Sequence, residues 1–125
     1  MLAQMLLSFG YDKIMLLTRS MVLRRAGFDV EEVCRWYDAF NRAQADVVDA
    51  LLLCHTVPVE EQISLIKRIR ANRRLLPIFC VVRESYFDPS AEGCIPIDSA
   101  PEDLVAGLRA ALTQNWIKWT RSKPA

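Results

Sequence analysis

Four cysteines and one histidine carry the most reactive side chains of this chain: Cys34, Cys54, Cys80, Cys94 and His55. No two cysteines have the C-x-x-C spacing, so the soft ligands of a zinc site are not clustered in the sequence. Cys54 and Cys80 stand inside apolar runs, where cysteine commonly packs as a small hydrophobe. We interpret the cysteines as reduced thiols of a cytoplasmic protein, and we expect no metal and no cofactor.

A second group that could do chemistry is a run of basic residues, which comprises Lys67, Arg68, Arg70, Arg73 and Arg74. Such a run could contact nucleic acid or an acidic partner. Cations at the C-terminal end of a helix explain it equally well, because they complement the helix dipole. The formal net charge is only +1, so nucleic acid is not the expected partner. No apolar stretch approaches the roughly 20 residues of a membrane span.

The elements that must position these groups alternate along the chain. Short apolar runs predict strands over residues 13–17, 28–33, 49–54, 77–82 and 94–97. Helical spacing predicts helices over 20–26, from Trp36 to Val47, from Glu60 to the basic run, and from Pro101 onward, with a weak helical segment over 89–92. Repeated strand–helix units of this length imply an α/β fold, in which a parallel sheet is covered by helices on both faces.

Four passages in this order resemble the receiver domain of two-component response regulators. They are Lys13-Ile14-Met15-Leu16-Leu17, then Val22 to Val30 with its Ala26-Gly27-Phe28, then Asp49 to Pro58, and finally Leu76-Pro77-Ile78 together with Pro101-Glu102-Asp103-Leu104. The resemblance implies a flavodoxin-like three-layer sandwich, with a five-stranded parallel sheet of order 2-1-3-4-5.

The resemblance also implies where a phosphorylation site would lie. A working receiver has two acidic residues after its first strand that hold Mg²⁺. It has a phosphoacceptor aspartate after the third strand, a Ser or Thr after the fourth and a lysine after the fifth. Here these positions fall on Thr18 and Arg19, on Cys54, on Val82, and on Ile97 or Asp98. We therefore expect a degenerate receiver that is not phosphorylated on aspartate and is not an enzyme.

Two other functions stay open, one at the Cys54 position and one at the basic run near Arg70. Arg19 near Cys54 would lower the pKa of the thiol and could make it a redox sensor. Neighbouring residues of a strand point to opposite faces, so Cys54 and His55 could act together only where the strand has ended. We favour a packed cysteine and a loop-facing histidine, and we keep the thiol sensor and a nucleic-acid-binding regulator as alternatives.

The domain boundaries follow from the resemblance. Residues 1–12 are predicted to be an apolar extension, 13–115 the receiver-like domain, and 116–125 a tail with two tryptophans. If the last helix continues, Leu108, Leu112, Trp116 and Trp119 form one face, and tryptophan is frequent in binding hot spots. We expect a stand-alone signalling module that contacts a protein partner and forms a homodimer through this surface.

Overall fold

The computed structural model describes residues 4–82, 93–96 and 101–122, and of these it gives the backbone alone for 82, 93–96, 111 and 114–122. The elements in chain order are β1 Met5–Phe9, α1 Lys13–Arg25, β2 Asp29–Val33, α2 Trp36–Ala43, β3 Ala50–Leu53, α3 Val59–Asn72, β4 Ile78–Val82, β5 Gly93–Pro96 and α4 Pro101–Ser122. The strands form one sheet of order β2-β1-β3-β4-β5, and every neighbouring pair is parallel. The predicted α/β fold and strand order are confirmed.

The first strand is not the predicted segment. β1 lies between β2 and β3 in the sheet, and its residues Leu6, Leu7, Ser8 and Phe9 are fully buried. The prediction that residues 1–12 form an extension outside the domain is therefore wrong, because residues 5–9 are a central strand. The domain boundary at residue 13 is wrong for the same reason.

The segment predicted as the first strand is the beginning of α1. Asp12 caps this helix, since its side chain accepts hydrogen bonds from the backbone N–H groups of Ile14 and Met15 at 3.0 and 3.2 Å. The run resembles a buried strand because its last four residues, 14–17, are all apolar. In the helix, however, Leu16 is buried while Ile14 and Leu17 are 77% and 52% exposed.

The helices cover both faces of the sheet, as the strand–helix alternation predicts. Leu7, Phe9, Leu51 and Leu53 point to the face that α2 and α3 cover, where they join one core cluster. The intervening strand residues, Leu6, Ala50 and Leu52, join a second cluster that includes residues of α1 and α4. This alternation with a period of two residues places successive strand side chains on opposite faces.

The last helix continues through residues predicted to be a tail. α4 runs to Ser122, so Trp116 and Trp119 belong to the helix, although their side chains lie outside the described part. Leu108 and Leu112 are buried in the second core cluster, so their assignment to an interaction surface is wrong. Among the described residues no helix is long and apolar enough to cross a membrane.

The position of β1 gives a first prediction. Leu7→Ala should lower the free energy of unfolding by about 2–5 kcal/mol, because Leu7 is fully buried and its truncation leaves a cavity. Leu17→Ala, in the segment predicted as the strand, should change it by less than about 0.5 kcal/mol, because Leu17 is half exposed. Equilibrium unfolding in urea measures both changes. A loss in Leu17→Ala as large as that in Leu7→Ala would contradict this assignment of the strand.

Candidate functional site

The C-terminal ends of β1 and β3 meet very closely. Gly10 follows β1 and Cys54 follows β3, and the Cys54 N–H donates to the Phe9 carbonyl at 2.8 Å. A Cβ at Gly10 would lie 2.8 Å from the Cys54 Cβ and 3.0 Å from the Thr56 Oγ1. Only glycine therefore fits at position 10 without a shift of the neighbouring chain. Ligands of open α/β sheets bind at this edge, where the connections from neighbouring strands leave in opposite directions.

Cys54 is buried beneath this edge. It is 1% exposed, and its Sγ lies 4.0 Å from the Ser8 Oγ. Burial raises the pKa of the Cys54 thiol above its ordinary value, while the charge of Arg19 and the hydrogen bonds that the thiol shares with Ser8 and Arg19 lower this pKa by less. Cys54 is consequently a neutral, packed thiol near pH 7, which favours the packed cysteine over the redox sensor.

Arg19 reaches the site from α1. Its Nη2 lies 3.5 Å from the His55 Nδ1, and its charge acts on the Cys54 thiol. β3 has ended at Leu53, so His55 stands in the turn that follows and no longer obeys the alternation of the strand. The structure thus places Cys54 and His55 beside the guanidinium group of Arg19.

The positions that follow the first strand have to be reassigned. Thr18 and Arg19 lie in the middle of α1, and the Thr18 hydroxyl donates to the Ile14 carbonyl at 2.9 Å. The residues that directly follow β1 are Gly10, Tyr11 and Asp12. Gly10 has no side chain, and the Asp12 carboxylate caps α1. The acidic pair of a working receiver is therefore missing because of the residues directly after β1, and not because of Thr18 and Arg19 as predicted.

Tyr11 closes the rim next to this glycine. Its N–H donates to the Thr56 Oγ1 at 2.9 Å, and its hydroxyl donates to the Glu61 Oε1 at 3.0 Å. Within the described ranges no group of three or more His, Cys, Asp or Glu side chains is placed to hold a metal ion.

The sequence could have revealed Gly10 and Asp12, since a glycine after an apolar run and an aspartate before a helix are ordinary boundary signals.

Of the remaining predicted site positions, Val82 belongs to the part of the chain that the structure describes. Val82 is the last residue of β4, and the backbone pairs it with Pro96 of β5. Ile97 and Asp98 lie outside the described residues, as does the predicted helical segment over 89–92. The assignment of these positions to a switch residue and a lysine position stays a prediction.

Three of the five residues of the basic run, which spans the end of α3 and the two residues after it, contact other parts of the protein. One guanidinium nitrogen of Arg73 donates to the carbonyls of Ala43, Ala45 and Val48 at 2.9–3.1 Å. These hydrogen bonds stabilise the end of α2 and the segment that follows it. Arg70 likewise donates to the carbonyls of Arg74 and Leu76. Arg68 lies over the stacked rings of Trp36 and Phe40. These contacts favour a structural role over nucleic-acid binding.

Comparison with solved structures identifies the fold. The chain superposes on a CheY-like response regulator receiver domain from Methanospirillum hungatei with a TM-score of 0.79 and 16% identity, over 93% of this chain and 98% of that one. It superposes on a signal receiver domain of an HD domain-containing protein from Pseudomonas fluorescens with a TM-score of 0.82 and 12% identity, over 97% and 95% of the two chains. This chain therefore has the response-regulator receiver fold.

A third similar structure is a receiver domain that holds a magnesium ion. The receiver domain of the sensor histidine kinase PA1611 from Pseudomonas aeruginosa, with a magnesium ion coordinated in its active site cleft, matches with a TM-score of 0.77 and 20% identity, over 89% of this chain and 98% of that one. No family model matches this chain, and no curated protein matches it.

The close approach at the site gives a second prediction. Gly10→Ala should lower the free energy of unfolding by about 1–3 kcal/mol, because the new Cβ presses on the Cys54 Cβ. Gly107→Ala is the matched control, since nothing lies within 4 Å of its Cβ position and it stands on the exposed side of a helix. That change should raise the stability by up to about 1 kcal/mol. Urea unfolding measures both, and equal effects would contradict the close contact.

The buried thiol gives a third prediction. In the native protein, iodoacetamide should modify Cys54 on the order of 100-fold more slowly than Cys34, which is partly exposed. That ratio corresponds to an opening free energy of about 3 kcal/mol for the buried thiol. Peptide mapping by mass spectrometry after timed quenching measures the two rates. In denatured protein, iodoacetamide should modify both residues at similar rates. Rapid modification of Cys54 in the native protein would contradict this prediction and support the thiol-sensor hypothesis.

Proposed function

We propose that this chain is a signalling module of the two-component type that acts by protein contact and is not switched by phosphorylation of an aspartate. The observation that carries the proposal is the residue set at the C-terminal edge of β1 and β3. The positions that meet there are Gly10 and Cys54, so the edge offers no carboxylate nucleophile where the two strands end. Transfer of a phosphoryl group to a protein side chain needs an activated nucleophile, and a buried neutral thiol is not an activated nucleophile.

The charge at this edge supports the same conclusion. A magnesium-dependent phosphoryl transfer requires oxygen ligands that attract a divalent cation. Here the Arg19 guanidinium reaches the edge from α1 and lies beside His55. A fixed positive charge at this position repels a divalent cation, while Asp12 is engaged at the start of α1. The chain would therefore act as a scaffold and not as an enzyme.

Protein contact is supported by an exposed apolar stripe on α1. Ile14, Leu17 and Met21 recur at steps of three and four residues, and each is about half exposed or more. The charged residues of α1 are all basic, so two copies of the helix would repel each other. The stripe instead fits a partner surface that is apolar with an acidic rim. A homodimer through α4, with Trp116 and Trp119, remains a separate prediction.

A fourth prediction tests the proposed absence of phosphorylation. After incubation with acetyl phosphate and Mg²⁺, the intact mass of the protein should not increase by a phosphoryl group. Cys54→Asp is the matched variant, since it restores a carboxylate while Gly10 and Arg19 stay in place. It should also remain unmodified, because the new carboxylate would pair with Arg19 and would have no metal ion beside it.

The result that would overturn the proposal is equally direct. A magnesium-dependent phosphoryl adduct on the wild-type chain would show that another residue accepts the group. An adduct on Cys54→Asp alone would leave the proposal for the wild-type chain in place, but it would contradict the argument that the missing metal ligands also prevent the reaction. A receiver domain known to accept phosphate from acetyl phosphate serves as the positive control for the reagents.

A further inference from the structure

The guanidinium of Arg19 has an unusual hydrogen-bonding state. Its Nη2 meets the His55 Nδ1 at 3.5 Å, whereas its Nη1 is buried and has no hydrogen-bond partner. Buried N–H donors in proteins are nearly always satisfied, and an exception points to a water or ion that belongs at the site. The Arg19 Nη1 is therefore a donor whose hydrogen bonds an added acceptor would satisfy.

The charge of Arg19 is also not balanced by its neighbours. In the described part of the chain the one ion pair joins Arg42 to Glu31, with 2.6 Å between nitrogen and oxygen. Glu32, on β2 across from α1, instead accepts a hydrogen bond of 2.6 Å from the Ser20 hydroxyl. Cys54 does not supply a negative charge, because burial raises the pKa of its thiol. Among the described residues, no carboxylate therefore forms an ion pair with the Arg19 guanidinium.

The surroundings are suited to a small ligand. The site lies at the C-terminal ends of two central parallel strands, and Gly10 contributes no side chain to it. The turn that carries His55 also contributes Thr56 to an open depression of about 500 Å³, whose other lining residues are Tyr11, Asp12, Lys13 and Ile14. Arg19 and His55 do not line this depression, and the opposite charges of Asp12 and Lys13 offset each other there.

We propose that Arg19, with His55 beside it, binds a small oxyanion non-covalently at this edge. The shared chemistry is a negatively charged oxygen that accepts a hydrogen bond from the Arg19 Nη1, as phosphate, sulfate and carboxylate groups do. This inference rests on the proposed function, since it assigns to the same edge an anion in place of a metal ion and a phosphorylated aspartate.

The test is a titration of ¹⁵N-labelled protein with inorganic phosphate, at constant ionic strength maintained with chloride. The amide signals of His55 and Thr56 should shift saturably, with an apparent Kd on the order of 1 mM. Parallel titrations with sulfate and with acetate distinguish a tetrahedral oxyanion from a carboxylate as the preferred ligand. Saturable shifts with any of the three support the site, and shifts that stay linear with all three would overturn it.

Variants on the same helix supply the controls. Arg19→Gln should weaken binding by about tenfold or more, because it removes the charge that the anion requires. Arg19→Lys should weaken binding less, since it keeps the charge without the planar group. Arg25→Gln removes an exposed charge from the last turn of α1 and should leave binding unchanged. Equal losses in Arg19→Gln and Arg25→Gln would show only a general effect of charge and would overturn the site.

The outcome can be separated from that of the proposed function. The titration uses inorganic phosphate, which does not transfer a phosphoryl group to a side chain under these conditions, and the intact mass of each sample is recorded afterwards. Saturable binding without a gain in mass supports the oxyanion site. If no anion binds while acetyl phosphate also fails to modify the chain, the oxyanion site is excluded and the proposed function stands.

Discussion

Burial of β1 in the centre of the sheet is the constraint on which the rest of the molecule depends. Its residues Leu6 to Phe9 are fully buried, and they pair with β2 on one side and β3 on the other. At its start, the Met5 N–H donates to the Asp49 Oδ2 at 2.7 Å. This register fixes which residues leave the sheet together at the opposite end, and so places Gly10 against Cys54.

The electrostatic character of the site follows from that placement. Gly10 contributes no carboxylate and Cys54 carries a neutral thiol, so among the described residues beside this thiol the charge comes from α1. Arg19 is the ninth position of the segment that opens at Tyr11, and it reaches back over the ends of the strands to His55. The acidic residue that follows β1, Asp12, caps α1, so the charge beside the Cys54 thiol is the positive charge of Arg19.

The fold was predictable from the sequence, whereas the identity of one strand was not. Continuous apolar runs marked β3 and β4 correctly, because both strands are buried on both faces. The run from Lys13 to Leu17 is apolar enough to indicate a strand as well. It is helical instead, and as a consequence Ile14 and Leu17 face away from the core. At the site, the Cys54 position was predicted from its strand, but Gly10 was missed because its role depends on a contact 44 positions away. Arg19 is predicted to follow the first strand directly. It lies in α1 instead, and its side chain still reaches the site.

The contact between Gly10 and Cys54 also restricts how this chain can change by single mutations. The atom that a side chain at position 10 would meet first is the Cβ of residue 54, and every amino acid except glycine carries that atom. Exchanging Cys54 for an acidic residue would therefore not make room for one at position 10. A mutational path toward an acidic pair at this edge would have to pass through a displacement of the strand ends, which makes a stepwise route through stable intermediates difficult.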